Sequence, residues 1–111
     1  MWLLDVNLPN GLAGLLQGFG ISCDTAARRN WRDLTNGALA DAAFREGFRV
    51  ILTRDRLFAM SARRVLAALP GLAIVVVTLR QAREEAYLAE LEMQWRRKPI
   101  EPVAGAVVEW P

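Results

Sequence analysis

The stretch Val50-Ile51-Leu52-Thr53-Arg54-Asp55-Arg56-Leu57-Phe58 constrains this chain most. Three aliphatic residues run into a polar break, with an aspartate just past it. A short apolar run bounded by a turn is the pattern of a buried parallel strand. In open α/β sheets, ligands gather at the carboxyl ends of the strands, which is where Asp55 is expected. The N-terminus repeats the arrangement, Trp2-Leu3-Leu4 leading into Asp5-Val6-Asn7. Two strands are thus expected to deliver one carboxylate each to the same sheet edge.

The rest of the chain supplies the elements such a sheet needs. Leu12, Leu15, Leu16 and Phe19 recur at helical spacing after Pro9, a residue suited to a first turn. Residues 21–24 read as a short strand, and 25–33, rich in arginine and without a period, as a loop. A second helix is expected from a Thr35 cap to Glu46, stopped by Gly47. In it, Asp41 is expected to face water, some 140° around the helix from Asn36. Ala62, Val65, Leu66 and Leu69 mark a third helix, stopped by Pro70-Gly71. Ile74 to Val77 is a β-branched strand apolar on both faces. Leu88, Leu91 and Trp95 mark a fourth helix, ended by Pro99 and Pro102. Ala106-Val107-Val108 reads as a last strand at an edge. The order β-α-β-α-β-α-β-α-β predicts one α/β domain over 1–111, with a mostly parallel central sheet and helices on both faces.

Bulk properties exclude several classes. Apolar residues make up 53% and charged residues 23% of the 111, which suits a globular domain and excludes a disordered one. The longest apolar run, from Leu72 to Leu79, is too short to span a bilayer. Asp5 interrupts the N-terminal apolar stretch and no basic leader precedes it, so the expected location is cytoplasmic. One cysteine, Cys23, and no histidine exclude an internal disulfide and a Cys/His zinc site. Cys23 reads as a small buried residue. Net charge is only +2, so nucleic-acid affinity requires the arginines, 13 of the 14 basic residues, to cluster. One cluster is visible: Arg28, Arg29 and Arg32 surround Trp31.

Leu3-Leu4-Asp5-Val6-Asn7-Leu8, Thr35-Asn36 and Thr53-Arg54-Asp55-Arg56-Leu57-Phe58 together resemble the small prokaryotic PIN-like domains related to VapC-type toxin ribonucleases. The resemblance covers essentially the whole chain in element order and length. It implies a three-layer PIN-like fold and an acidic pocket holding Mg²⁺ or Mn²⁺. It also implies hydrolysis of RNA phosphodiesters, often by a toxin paired with a small DNA-binding antitoxin, and a tendency to form homodimers. Carried over by position, Asp5 and Asp55 match metal ligands, and Asn7 matches the asparagine after the first strand. Asn36 stands where relatives begin the second helix with an acid.

The chain departs from that pattern at Val6, at Asn36-Gly37 and at Leu57, each in or beside a position where relatives carry an acid. The expected site is therefore two carboxylates and two amides. Mg²⁺ binds through one or two carboxylates with water and phosphate completing the shell, so Asp5 and Asp55 meet the minimum for a single ion. Asn36 and Asn7 are expected to add neutral oxygens or orient water, Thr53 to donate a hydrogen bond, and Arg54 and Arg56 to hold RNA phosphates. Aspartates after strands also serve as turn formers and helix caps, which is the structural alternative for both carboxylates. Two further functions compete. One is a degenerate PIN-like domain that only binds RNA or protein. The other is a phosphoacceptor receiver domain using Asp5, Asp55, Thr78 and Lys98.

Overall fold

The computed structural model describes residues 1–34 and 36–111, with the backbone but not the side chain of Asn36. The expected cap at Thr35 lies outside the described residues. Five strands alternate with four helices: β1 (Trp2–Leu4), α1 (Leu12–Gly18), β2 (Cys23–Thr25), α2 (Asn36–Arg45), β3 (Val50–Thr53), α3 (Arg56–Ala62), β4 (Ala73–Val77), α4 (Glu84–Arg97) and β5 (Val107–Trp110). Every residue of β3 and β4 is buried, as strands covered on both faces require.

All four strand pairings are parallel, in the order β2-β1-β3-β4-β5. Side-chain alternation splits the interior into two cores. Leu3, Ile51, Ile74 and Val76 face α2 and α3, while Leu4, Leu52, Val75 and Val77 face α1 and α4. The order is the flavodoxin-like one, whose direction reverses between β1 and β3. Chains leaving those two strands pass to opposite faces, so a crevice opens at their carboxyl ends. The return to β5 is unusual. It uses α4 on the α1 face, where a right-handed crossover in this direction would use the other, so this connection is left-handed against a strong rule. Trp95 of α4 stacks on Phe19 at 4.9 Å and lies edge-on to Trp110 at 6.3 Å, packing α4 and β5 together on the α1 face.

Three expectations shift. The second strand begins at Cys23, not Ile21, and the last is Val107–Trp110, with Trp110 buried. The third helix lies earlier than its apolar residues imply. Asp55 caps it directly after the strand, its Oδ1 accepting from the Leu57 and Phe58 amides at 2.9 and 3.1 Å. Leu66 and Leu69 are still buried, but around a 3-10 turn at Leu66–Ala68, since their spacing of three fits three residues per turn as well. The second helix ends as expected. Gly47 at φ +90° donates to Phe44 O and Phe48 donates to Ala43 O, a Schellman closure that requires the left-handed backbone. Among the described residues no helix is long and apolar enough to cross a membrane.

The loop after β2 is tied down by charge. Asp24 accepts from Arg29 Nε at 2.8 Å, and that guanidinium lies over the Phe48 ring at 4.9 Å and the Trp31 ring at 5.8 Å. Partial burial alone would push the Asp24 carboxyl up. The hydrogen bond and charge of Arg29, the Thr25 amide and Arg28 outweigh it and hold the group below its ordinary range. A depressed carboxylate stabilises the fold above its unfolded pKa, about 3.9, and loses that contribution as pH falls through the lower folded value. Urea unfolding of the wild type and Asp24→Asn across pH should therefore show the wild type more stable near neutrality. The gap should close only below about pH 4.

Candidate functional site

Where β1 and β3 end, the register sets Leu4 beside Leu52, so the next residues, Asp5 and Thr53, face one another. The Asp5 amide donates to Leu52 O at 2.9 Å and extends the ladder by one bond. Thr53 has no exposed surface, and its hydroxyl lies at the centre of the site. Its oxygen is 2.8 Å from Asp5 Oδ2, 3.3 Å from Asn7 Nδ2 and 3.0 Å from the Asp55 amide. The amide groups can only donate and an ionised carboxylate can only accept, so the single hydroxyl proton goes to Asp5. One donor and two acceptor positions are all used. Thr53 therefore stands behind the Asp5 carboxylate and has no proton left for a phosphate.

Asn7 closes the other side. Its Oδ1 accepts from the Arg54 amide at 3.0 Å while its Nδ2 donates to Thr53. Both ends of that amide brace backbone and hydroxyl across the two strands. Asp5 Oδ1 accepts from the Val6 amide at 2.8 Å, so each of its oxygens carries one hydrogen bond and retains a lone pair. Asp55 is both cap and candidate ligand. Oδ1 takes the two amides that open α3, and Oδ2 has no protein donor among the described residues.

Asp5 and Asp55 line one crevice with Val6, Asn7, Arg32 and Phe58. A second crevice adjoins it between the ends of β1 and β2, where Asp5, Val6 and Arg32 recur beside Thr25 and Glu84. Among the described residues no three acidic side chains come close enough to hold one ion together. Asn36 opens α2, but its side chain is outside the described set. The two arginines flanking Asp55 are engaged elsewhere. Arg54 lies over the Tyr87 ring at 5.4 Å, and Arg56 pairs with Glu109 of β5 at 3.2 Å. Glu84 is a charged cleft residue that the sequence did not single out, and Arg32 was visible only as part of the arginine cluster around Trp31. Nothing local marks Glu84, which reads as an acid suited to a helix first turn. Arg32 was one of three loop arginines of equal standing.

The receiver alternative loses its lysine. Lys98 follows the C-terminus of α4, whereas Glu84 at the N-terminus of that helix is the residue lining the cleft. The 14-residue helix Glu84–Arg97 puts them about 21 Å apart at 1.5 Å per residue. Cys23 is buried against Ala13 O, and burial, then the neighbouring Asp24 charge, pushes its thiol up, away from nucleophilic use.

Replacing Thr53 by valine keeps the volume but strands three groups at once. Thr53→Val is expected to cost about 2 kcal/mol in urea unfolding, the scale of leaving buried polar groups unpaired, with Thr53→Ser close to wild type. Comparisons of the chain with models of known protein families, with curated proteins and with solved structures find no match, which leaves the geometry of the cleft as the basis for a functional reading.

Proposed function

We propose that the chain is a PIN-like domain whose β1/β3 crevice hydrolyses RNA phosphodiesters with a single Mg²⁺ or Mn²⁺ ion. The observation that carries this reading is that Asp5 and Asp55 line one crevice at the point where ligands gather in such sheets, with the buried Thr53 hydroxyl bonded to the Asp5 carboxylate and to the Asp55 amide. The donor set fits a hard divalent cation. It consists of carboxylate oxygens, with lone pairs left on both oxygens of Asp5 and an Oδ2 of Asp55 that the cap does not use. Such an ion, when bound, polarises a phosphoryl oxygen and lowers the pKa of water.

The residues of the chain supply position. Thr53 and the Val6 amide fix both oxygens of Asp5, so the carboxylate keeps one orientation as substrate arrives. The cap bonds do the same for Asp55 through its other oxygen. Hydrolysis then forms a bond from water oxygen to phosphorus and breaks the bond to the 3′ oxygen, leaving 5′-phosphate and 3′-hydroxyl ends. The toxin of a toxin–antitoxin pair is the setting this activity fits.

A second reading has its own support. The crevice holds two carboxylates, and one oxygen of Asp55 is committed to α3, which suits a degenerate domain that binds RNA or protein without cutting. The two readings separate in one assay. Asparagine caps helices as well as aspartate does, so Asp55→Asn removes charge and leaves α3 in place. RNA incubated with purified protein and Mn²⁺ or Mg²⁺ should be cut, and chelation should stop it. Asp5→Asn and Asp55→Asn should each lower the rate by more than the roughly 10–100-fold that loss of an outer-shell partner costs. Intact RNA across many sequences, or equal cutting by the variants, would favour the binder.

A further inference from the structure

We propose that Arg32 is the phosphate-binding residue of this site, gripping a phosphodiester of single-stranded RNA where the two crevices meet beside Asp5. The substrate class rests on the nuclease reading above; the anion site rests on the loop itself. Of the three arginines after β2, Arg29 is held by the fold and Arg28, largely exposed, reaches only Asp24 among the described residues. Arg28 pairs with Asp24 at 3.7 Å, and Arg29 pairs with Asp24 at 2.8 Å and Glu46 at 3.8 Å while lying over two aromatic rings. The chain is then turned by fixed points. Asn30 adopts φ +63°, the Trp31 amide donates to Ala26 O at 2.9 Å, and the Trp31 ring sits edge-on to Phe48. The next residue is Arg32, which lines both crevices and makes no ion pair among the described residues.

Among the described residues, only Asp5, Val6 and Arg32 are common to the two crevices. They form a waist with open space on either side, one part reaching Asp55 and the other Glu84. A strand laid across this edge of the sheet would place a nucleotide in each part and the linking phosphate at the waist. There a phosphate lies beside the Asp5 carboxylate, which repels it when no divalent ion is bound, and a cationic side chain at the same point offsets that repulsion. A guanidinium offers a planar two-point match to phosphate oxygens. Exposed Val6 adds apolar surface on which a sugar or base edge can rest.

The test is anisotropy of a short fluorescein-labelled single-stranded RNA in EDTA, so that binding is read without cleavage. Arg32→Gln should weaken binding about tenfold or more, the scale of a lost charged hydrogen bond. It should also flatten the log–log salt dependence by about 0.7, one phosphate contact on a single strand. Arg32→Lys should retain part of the affinity, and Arg28→Gln, in the same loop but lining neither crevice, should match wild type. Unchanged affinity and salt slope in Arg32→Gln would overturn the proposal. So would an equal loss in Arg28→Gln, no RNA binding by wild type, or a mononucleotide bound as tightly as the strand. Binding that depends on Arg32 in a protein that never cuts RNA would uphold this site and sink the nuclease reading.

Discussion

One hydroxyl holds the carboxyl ends of β1 and β3 together. Thr53 Oγ1 donates to Asp5 and accepts from Asn7 and from the Asp55 amide, which joins the ends of β1 and β3 to the start of α3. Each partner lies where its own strand or helix has run out of regular bonds. The hydroxyl supplies what the missing ladder would have supplied, from a side chain with no exposed surface. The Asp5 carboxylate and the backbone of Asp55 are thereby tied to a single atom, while the Asp55 carboxylate is fixed by the amides that open α3.

The sheet makes that arrangement useful. Reversal of strand order between β1 and β3 sends α1 and α3 to opposite faces and leaves the crevice between them open. The unusual hand of the last crossover adds to this. By staying on the α1 face, α4 brings Glu84 to within 3.4 Å of the Gly11 amide and walls the adjoining crevice. The outer strand β5 then carries Glu109, which draws Arg56 sideways and away from the cleft. Cationic character in the cleft falls to the loop after β2, and within that loop to Arg32.

Much of this was legible before any coordinates. Val50–Thr53 and Ile74–Val77 admit one interpretation, because continuous β-branched and aliphatic runs of that length suit strands covered on both faces. The aspartates one and two residues beyond β1 and β3 followed directly. Asp55 was ambiguous in principle, since ligand and cap need the same residue in the same place, and the structure shows it capping with one oxygen and leaving the other. Leu66 and Leu69 misled because a spacing of three serves an α-helix and a 3-10 turn alike. The direction of Arg32 was not readable from its neighbours. It depends on Asp24, Glu46 and Phe48 claiming Arg29, and those contacts form only once β2 and the end of α2 are packed together. The ion pair of Arg56 with Glu109 was likewise beyond a local reading, because Glu109 is remote in sequence.

The central claim is that Asp5 and Asp55 make one divalent-cation site whose geometry depends on Thr53. Calorimetric titration of Mn²⁺ into the purified protein tests it most directly. One ion per chain is expected, with binding abolished in Asp5→Asn and weakened in Thr53→Val under conditions where that variant remains folded. No Mn²⁺ uptake, or uptake indifferent to Asp5, would contradict the account.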